Sequence, residues 1–382
     1  MITTLAVENY RSIRSLVLEL SQLTVITGAN GSGKSNLYRA LRLLADAGLG
    51  GAVGALAREG GLESTLWAGL EHPGGAVRRG ERPVQGTVRS GRISLKLGFA
   101  GDDLGYAVDF GIPIPGESLF NHDPEIKAES AWGGPILRPA TLLAERRGPV
   151  VRLRGSDGWE HVPYRLSPFD SMLTEVMDLD LVSVRERLRS WRFYDHLRTD
   201  AAAPARHAQI GTRTPVLGHD GADLAAALQT INEIGDADAL AKAVEHAFPG
   251  SRVEIVPLGG GRLELGWRQH GLLRPLTAAE LSDGTLRYLL LVAALLTPRP
   301  PALLVLNEPE TSLHPDLLTP LADLVATASR TTQIVLVSHA RPLVAALRDQ
   351  GAQTVELVKE LGETTISGHG PLDGPAWTWP KR

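Results

Sequence analysis

The segment GANGSGKS, residues 28–35, contains residue types that bind phosphate. It matches the pattern G-x-x-x-x-G-K-[ST], in which glycines let backbone N–H groups surround anionic oxygens without obstruction by side chains. Lys34 would bring a cation to the β- and γ-phosphates, and the Ser35 hydroxyl would coordinate Mg²⁺. The spacing therefore predicts a nucleotide-binding loop. Its candidate binding residues are Gly28, Asn30, Gly31, Ser32, Gly33, Lys34, Ser35 and Asn36.

Further polar residues adjoin apolar segments far downstream. Glu308 comes just after the run ALLVL, and His339 closes the run QIVLVSH. Ser282 stands before the apolar segment TLRYLLLVAALL, where it is placed like a helix N-cap. Taken singly, these residues have ordinary structural explanations, since a lone histidine is more often a satisfied structural residue than a catalytic one.

Hydrophobic periodicity indicates the elements that position these residues. LTVIT, residues 23–27, predicts a buried strand, and KSNLYRALRLLAD predicts a helix with Leu37, Leu41 and Leu44 on one face. The glycine-rich segment would thus join a strand to a helix, as phosphate loops do. Residues 280–296, ELSDGTLRYLLLVAALL, predict a turn followed by a helix that is apolar on almost every side.

The ordered motifs GANGSGKS, LSDGT, LVLNEP, TSLHP and VSHA resemble the ATPase heads of the ABC class. Within that class, the chain is most similar to the RecF, SMC and OLD-like branch, and above all to its stand-alone predicted ATPases. The opening segment LAVENYRSIRSLVLEL supports this branch, whose heads begin with a strand, a short N-[FY]-[RK]-S turn and a second strand. The resemblance covers residues 1 to 45 and 275 to 345 well and the middle loosely.

The resemblance implies ATP and Mg²⁺ as cofactors and a site shared between two subunits. Ser282 and Gly284 of one subunit would close over the phosphate held by Lys34 and its neighbours in another, so we expect an ATP-dependent homodimer. Glu308 would polarise the attacking water and His339 would contact the γ-phosphate. The expected catalytic residues are thus Glu308, His339 and Lys34, and residues 311–315, TSLHP, would link the two sites.

Asn307 stands where this class usually has an aspartate that holds Mg²⁺ through water. Its amide keeps a carbonyl acceptor but loses the negative charge, which should weaken the metal site formed with Ser35. We expect a slow ATPase, with a nucleotide binder without turnover as the alternative. Glu310 could supply a second charge, but we favour a solvated acid in a turn.

The expected fold is α/β: a P-loop NTPase, ABC-type ATPase head with an inserted α+β arm. We place the head in residues 1–112 and 270–382 and the arm in residues 113–269. Residues 85–112 predict antiparallel strands with turns at residue 91 and at residues 101–103. The head carries one phosphate loop, and the long interval before Ser282 disfavours a transporter subunit.

Inside the arm, DSMLTEVMDLDLVSVRERLRSWRFYDHLR and GADLAAALQTINEI predict helices, and SRVEIVPLGGGRLELGWR predicts a hairpin. Sustained heptads are absent from the sequence, so we expect no long coiled coil. Heads of this class usually have a glutamine that senses Mg²⁺ and the γ-phosphate, in the loop that connects the two lobes of the head. The sequence does not assign this residue, and Gln209, Gln229 and Glu175 are weak candidates for it.

Composition narrows the class of protein. The 382 residues include no cysteine, which excludes disulfides and thiolate metal sites and suits the cytoplasm. The longest apolar run, residues 289–296, is far below the ~20 residues that span a bilayer, and the first residues make a poor secretion signal, so we expect no membrane insertion.

The net charge of −4 offers no global attraction for nucleic acid, so DNA binding would need a local patch. Two arginine groups could form one. Arg185, Arg189 and Arg192 would share a helical face, and a second group surrounds the early hairpin. That second group comprises Arg78, Arg79, Arg82, Arg89 and Arg92.

The alternative for both groups is an ion-paired surface. Two functions therefore stay open: a DNA-associated ATPase in repair, chromosome maintenance or defence against foreign DNA, and a regulatory ATPase that gates a separately encoded effector without binding DNA.

Overall fold

The alternating apolar residues at the start of the chain form an antiparallel hairpin. β1 (Ile2–Tyr10) pairs with β2 (Ile13–Glu19), with Leu5 opposite Leu18 and Val7 opposite Leu16. The computed structural model describes residues 1–70, 92–114, 116–195, 197–370 and 373–382. These residues form two units. The first comprises Met1–Ser21, Gly28–Trp191 and Val355–Arg382, and the second comprises Gln22–Thr27 and Arg192–Thr354.

An eight-stranded antiparallel sheet forms the centre of the first unit, in the order β2-β1-β4-β5-β6-β7-β8-β9. The expected strands with a turn near residues 101–103 are confirmed, because β4 and β5 meet there. The expected turn at residue 91 falls outside the described residues. The remaining strands of this sheet are β4 (Leu95–Gly101), β5 (Leu104–Gly111), β6 (Glu125–Gly133), β7 (Leu142–Arg147), β8 (Val150–Gly155) and β9 (Gly158–His161).

Helices and a second hairpin complete the first unit. α1 (Lys34–Gly48) buries Leu37, Leu41 and Leu44, as the periodicity predicts. The other helices are α2 (Ala52–Arg58), α3 (Leu62–Thr65), α4 (Met172–Glu175) and α5 (Leu179–Ser190). The antiparallel hairpin of β17 (Gln353–Glu360) and β18 (Glu363–Ile366) lies largely in this unit.

The second unit is built on parallel strands. β10 (Arg192–Tyr194), β15 (Leu303–Asn307), β16 (Gln333–Val337) and β3 (Leu23–Gly28) lie side by side in that order. Each neighbouring pair is parallel, so their carboxyl ends share one edge. Ligands of open α/β sheets bind outside this edge.

Helices enclose the parallel strands of the second unit. α8 (Asp283–Leu295) is buried from Leu286 to its end, which explains why its sequence is apolar on almost every side. The others are α6 (Leu224–Ile234), α7 (Ala237–Ala247), α9 (Leu318–Ala328) and α10 (Arg341–Asp349). A small sheet contains β11 (Gln209–Ile210), β12 (Ser251–Leu258), β13 (Arg262–Gln269) and β14 (Leu276–Thr277).

Several predictions for the middle of the chain can be compared with these elements. α6 and the β12–β13 hairpin are confirmed. The helix expected through the segment LRSWRFYDHLR is wrong beyond Ser190, because α5 ends there and the aromatic residues that follow pair as β10 with β15. The division at residues 112 and 113 stays a prediction, and the large sheet continues across it through the pairing of β5 with β6.

A buried ion pair joins two central strands of the first unit. The Arg146 Nη1 and Glu129 Oε2 atoms lie 3.0 Å apart, and both side chains are fully buried. Tyr106 donates its hydroxyl hydrogen to Glu129, and burial raises the pKa of that phenol. The charges are thus hydrogen-bonded as well as paired, which a buried ion pair requires.

In the described ranges, no helix is both long and apolar enough to cross a bilayer.

Candidate functional site

The predicted phosphate loop joins β3 to α1 in the structure. Two of its glycines are required by close contacts. A Cβ atom on Gly28 would lie 2.3 Å from the Leu357 carbonyl oxygen, and one on Gly33 would lie 2.0 Å from the Thr364 hydroxyl. Both glycines also have positive φ, 143° and 109°. The backbone can therefore follow this path only without side chains at these positions.

Lys34 is buried within the loop that it follows. Its Nζ atom donates to the carbonyl oxygens of Gly28, at 2.7 Å, and Ala29, at 3.1 Å. Among the residues that the structure describes, it has no carboxylate within ion-pair distance. A buried cation that has only carbonyl partners lacks a counter-ion, and such a site favours an anion.

The other loop residues differ in their surroundings. The Ser32 hydroxyl is buried and has no hydrogen-bond partner in the described ranges, so it is available to a ligand. Asn30, Gly31 and Ser35 are exposed. The Asn36 amide donates to the Ser12 hydroxyl at 2.7 Å and thus faces its own unit. The loop fits a phosphate, because the N–H groups that begin a helix lack the usual intrahelical acceptors, although the Asn36 N–H donates to the Gly33 carbonyl at 3.0 Å.

Glu308 and His339 are brought together in the second unit. Glu308 follows β15, His339 follows β16, and the Glu308 Oε1 and His339 Nδ1 atoms lie 3.5 Å apart. Their strands are parallel neighbours, which explains how residues so distant in sequence meet. Both side chains are about half exposed, so a carboxylate and an imidazole are accessible at the carboxyl edge of the sheet.

The Glu308 backbone adopts a left-handed conformation, with φ of 48°. Such a conformation is unfavourable for a residue with a side chain and persists only where neighbours hold it. The Glu308 N–H donates to the Val337 carbonyl at 2.8 Å, and Arg287 Nη2 donates to the Glu308 carbonyl at 3.2 Å. The strained turn that presents this carboxylate is thus fixed on both sides.

Arg287 is a site residue that the sequence analysis missed. It belongs to α8, is buried, and also donates to the Leu197 carbonyl at 2.9 Å. Burial lowers the pKa of its guanidinium, while the carboxylates of Glu310 and Asp195 act in the opposite direction. A signal was present, since Arg287 is the one charged residue in the apolar run TLRYLLLVAALL.

Glu310 is buried, so the expectation of a solvated acid is wrong. Its Oε1 atom accepts hydrogen bonds from the Ser338 hydroxyl at 2.6 Å and from the N–H groups of His339 and Ala340. Donors at the end of β16 compensate the buried charge, which a sequence pattern alone does not reveal. Glu310 thereby positions the segment that carries His339.

The Asn307 side chain fits an expected metal site in one respect. Its Oδ1 atom is buried and has no hydrogen-bond partner in the described part of the chain. The Glu310 Oε2 atom shares this condition. Unpartnered buried oxygens are costly unless they bind something, and oxygen is the ligand atom that Mg²⁺ and its water shell prefer.

Ser282 and Gly284 begin α8. The Ser282 hydroxyl accepts from the Thr285 N–H at 3.1 Å, which confirms the predicted N-cap. A Cβ atom on Gly284 would lie 2.8 Å from the Ser312 carbonyl oxygen, so this glycine packs directly against the segment 311–315. Ser282 itself is exposed.

Arg206 holds the turn before α8 in place. It lies outside the sequence motifs, so the sequence alone did not indicate it. The side chain is buried, and its Nη2 atom lies 2.6 Å from Asp283 Oδ1. Its Nη1 atom also donates to the carbonyl oxygens of Ala278, Ala279 and Leu281. The approach to Ser282 is thus held by one guanidinium.

Comparison with solved structures gives the same architecture. A crystal structure of an Smc head bound to the C-winged helix domain of ScpA matches with a TM-score of 0.51 and 14% identity, covering 96% of this chain and 97% of that chain. The Pyrococcus furiosus Smc head domain with an extended coiled coil, bound to the C-terminal domain of ScpA, matches with a TM-score of 0.50 and 13% identity, covering 96% and 95%. No curated protein matches the sequence.

The fold is that of a P-loop NTPase head of the ABC type, as in the Smc ATPase heads. A family model described as "AAA domain, putative AbiEii toxin, Type IV TA system" matches residues 23–346. The chain belongs to this family.

Replacement of Glu310 tests its part in the site. In Glu310→Ala, the Ser338 hydroxyl and the His339 N–H lose their acceptor, while the Ala340 N–H keeps the Ser338 Oγ atom at 3.1 Å. We expect the free energy of unfolding to fall by about 2–3 kcal/mol. Glu310→Gln keeps a carbonyl oxygen and should lose less. Urea unfolding measures both. Equal stability of the alanine variant and the wild type would show that the carboxylate is solvated instead.

Proposed function

We propose that the protein binds ATP with Mg²⁺ and hydrolyses it slowly. The observation that carries this proposal is the glycine loop between β3 and α1, where the buried Lys34 ammonium has no carboxylate partner in the described part of the chain. Family membership supports it, because the matched model is that of an AAA domain. The Ser32 hydroxyl, which has no hydrogen-bond partner among the described residues, adds a further polar group for an anionic ligand.

The chain offers residues for each part of the reaction. Loop N–H groups and Lys34 would hold the phosphates, and release of the Gly28 and Ala29 carbonyls would free the ammonium for them. Ser35 and Asn307 would hold Mg²⁺, which when bound neutralises charge on phosphate oxygens. That both groups serve one nucleotide is part of the proposal and follows from the family resemblance.

Glu308 would accept the proton of the attacking water. The carboxylate is accessible, and its backbone is fixed by Val337 and Arg287, so the base is positioned before substrate arrives. His339, 3.5 Å from Glu308, would donate a hydrogen bond to the γ-phosphate. The neutral Asn307 leaves less charge for the metal, which is why the proposed turnover is slow.

The proposed active form is a homodimer with ATP between its subunits. The chain has one phosphate loop and one LSDGT turn, and heads of this class combine the loop of one subunit with the turn of the other. Exposure of Ser282 and the fixed backbone around it support a surface that meets a ligand held elsewhere. The two solved Smc heads are themselves recorded in complex with ScpA fragments.

Turnover measurements test the catalytic roles. With ATP and Mg²⁺ at low salt, we expect Lys34-dependent phosphate release, and Glu308→Gln should lower the rate by about 100-fold or more because the general base is lost. Glu308→Gln should also retain ATP, so light scattering should show a dimer. Arg213→Ala, an exposed substitution, is the control. A Lys34→Ala rate equal to that of the wild type would refute the proposal.

The metal site is tested by restoring its charge. We expect Asn307→Asp to reach half of its maximal rate at an Mg²⁺ concentration about tenfold lower than the wild type requires. A carboxylate holds the hydrated metal more strongly than an amide does. Titration of Mg²⁺ at saturating ATP measures this shift. An unchanged Mg²⁺ dependence would remove Asn307 from the metal site.

The arginine groups expected to contact DNA fare differently. Arg185 and Arg189 both lie within 4 Å of Glu186, at 3.7 and 3.6 Å, as the ion-paired alternative predicts. Arg192 was expected on their helical face, which is wrong, since it lies in β10. In the second group, Arg92 is exposed, and Arg78, Arg79, Arg82 and Arg89 fall outside the described residues.

A surface on the β8–β9 hairpin supports nucleic-acid binding as a second candidate function. Arg152 lies opposite His161, and Arg154 lies opposite Trp159, so the four side chains share one face of the β8–β9 hairpin. The Arg152 and Arg154 guanidinium carbons lie 4.5 and 5.5 Å from the Trp159 ring centre. Arg154 has no carboxylate partner in the described ranges. The Arg152 Nε atom already donates to Glu145 Oε2 at 2.8 Å. Arg154 is therefore the guanidinium beside the ring that presents donors for phosphate.

DNA binding tests this face. We expect the wild type to bind linear duplex DNA at low salt. Arg154→Glu should weaken binding several-fold and reduce the slope of log affinity against log salt concentration by about one, as expected for the loss of one phosphate contact. Arg213→Glu, an equal charge change at an exposed residue of the second unit, is the matched control. Fluorescence anisotropy measures both. Absence of wild-type binding would instead favour the regulatory ATPase that gates a separate effector.

A further inference from the structure

A chain of hydrogen bonds runs behind the phosphate loop, inside the first unit. The Asn36 Nδ2 atom lies 2.7 Å from the Ser12 hydroxyl, which lies 2.7 Å from the Thr364 hydroxyl. The Thr364 hydroxyl in turn lies 2.9 Å from the carbonyl oxygen of Ser32. Three distant segments, the β1–β2 turn, the start of α1 and β18, thus converge on one peptide group of the loop.

The donors of this chain can be assigned from chemistry alone. A carbonyl oxygen accepts only, so the Thr364 hydroxyl must donate its one hydrogen to Ser32. Ser12 must then donate to Thr364, and it can accept from the Asn36 amide, which has hydrogens to give. Each hydroxyl donates once and accepts once. The chain has one direction, and it ends at the loop.

The last hydrogen bond controls a group on the opposite side of the backbone. The Ser32 carbonyl and the Gly33 N–H belong to the same planar trans peptide, so they point in opposite directions. Holding the carbonyl against Thr364 therefore directs the Gly33 N–H away from β18. The contact is close, because any Cβ atom on Gly33 would overlap the Thr364 side chain.

We propose that Thr364 and Ser12 are positioning residues of the phosphate loop, which orient the Gly33 N–H as a donor to a bound phosphate. This inference rests on the proposed nucleotide binding. It gives Ser12 a physical role in the N-Y-R-S turn, and it assigns one to the β17–β18 hairpin. Thr364 is fully buried, so it acts through the loop and does not touch the ligand.

The neighbouring residue provides a matched control. The Thr365 hydroxyl is buried without a hydrogen-bond partner in the described residues, so Thr365→Val removes no hydrogen bond seen there. Thr364→Val makes the same substitution but removes the hydrogen bond from the Thr364 hydroxyl to the Ser32 carbonyl. The Arg14–Glu363 ion pair, with atoms 2.9 Å apart, remains in both variants and keeps β18 beside β2.

Calorimetric titration with a non-hydrolysable ATP analogue and Mg²⁺ tests the proposal. We expect Thr364→Val to bind about five- to tenfold more weakly, the loss of one well-placed hydrogen bond, while Thr364→Ser and Thr365→Val bind like the wild type. In ATP hydrolysis, the Thr364→Val substitution should raise KM more than it lowers kcat. Wild-type affinity in Thr364→Val would overturn the inference, since a merely structural role changes stability only.

A second measurement separates this inference from the proposed function. Hydrogen exchange of residues 28–36 without nucleotide should be faster in Thr364→Val than in Thr365→Val. If the wild type binds no ATP analogue, the proposed function fails, yet faster exchange would still show that Thr364 orders the loop. Equal exchange in the two variants would overturn the positioning role by itself.

Discussion

The candidate site is organised around a buried ammonium. Among the residues that the structure describes, Lys34 has the carbonyls of Gly28 and Ala29 as partners and no counter-ion, and a cation in low dielectric is costly unless an anion or strong dipoles compensate it. The loop must therefore bend so that its carbonyls reach back to the lysine. That bend needs glycine at positions 28 and 33, and it needs the contacts behind the loop that keep the bend from relaxing.

A second strained backbone lies at Glu308. The cost of its left-handed conformation is offset by hydrogen bonds to Val337 and Arg287. Glu310 fixes the facing segment through Ser338. In both candidate regions, an unfavourable local conformation is thus maintained by polar contacts from elements distant in sequence.

Local patterns were sufficient to predict the strand, loop and helix around Lys34, because periodicity and glycine spacing act over a few residues. The sequence placed Glu308 and His339 each at the end of an apolar run, but their approach depends on the parallel pairing of β15 with β16, which the structure shows. The arginine in the apolar helix α8 was a readable signal that the sequence analysis did not use.

Other features depended on contacts that no local pattern contains. Glu310 looked like a solvated acid because its donors lie on another strand, and Arg192 looked helical because pairing with β15 decides its state. Ser12 and Thr364 are nearly the whole chain apart. Only the folded structure shows that their hydroxyls meet behind the phosphate loop.

Hydrogen exchange of the wild-type protein with and without ATP and Mg²⁺ would show whether the loop around Lys34 binds phosphate. We expect nucleotide to slow exchange in residues 28–36, because the loop N–H groups would then be bonded to phosphate. Unchanged exchange in this loop at saturating ATP, or protection confined to other segments, would contradict it.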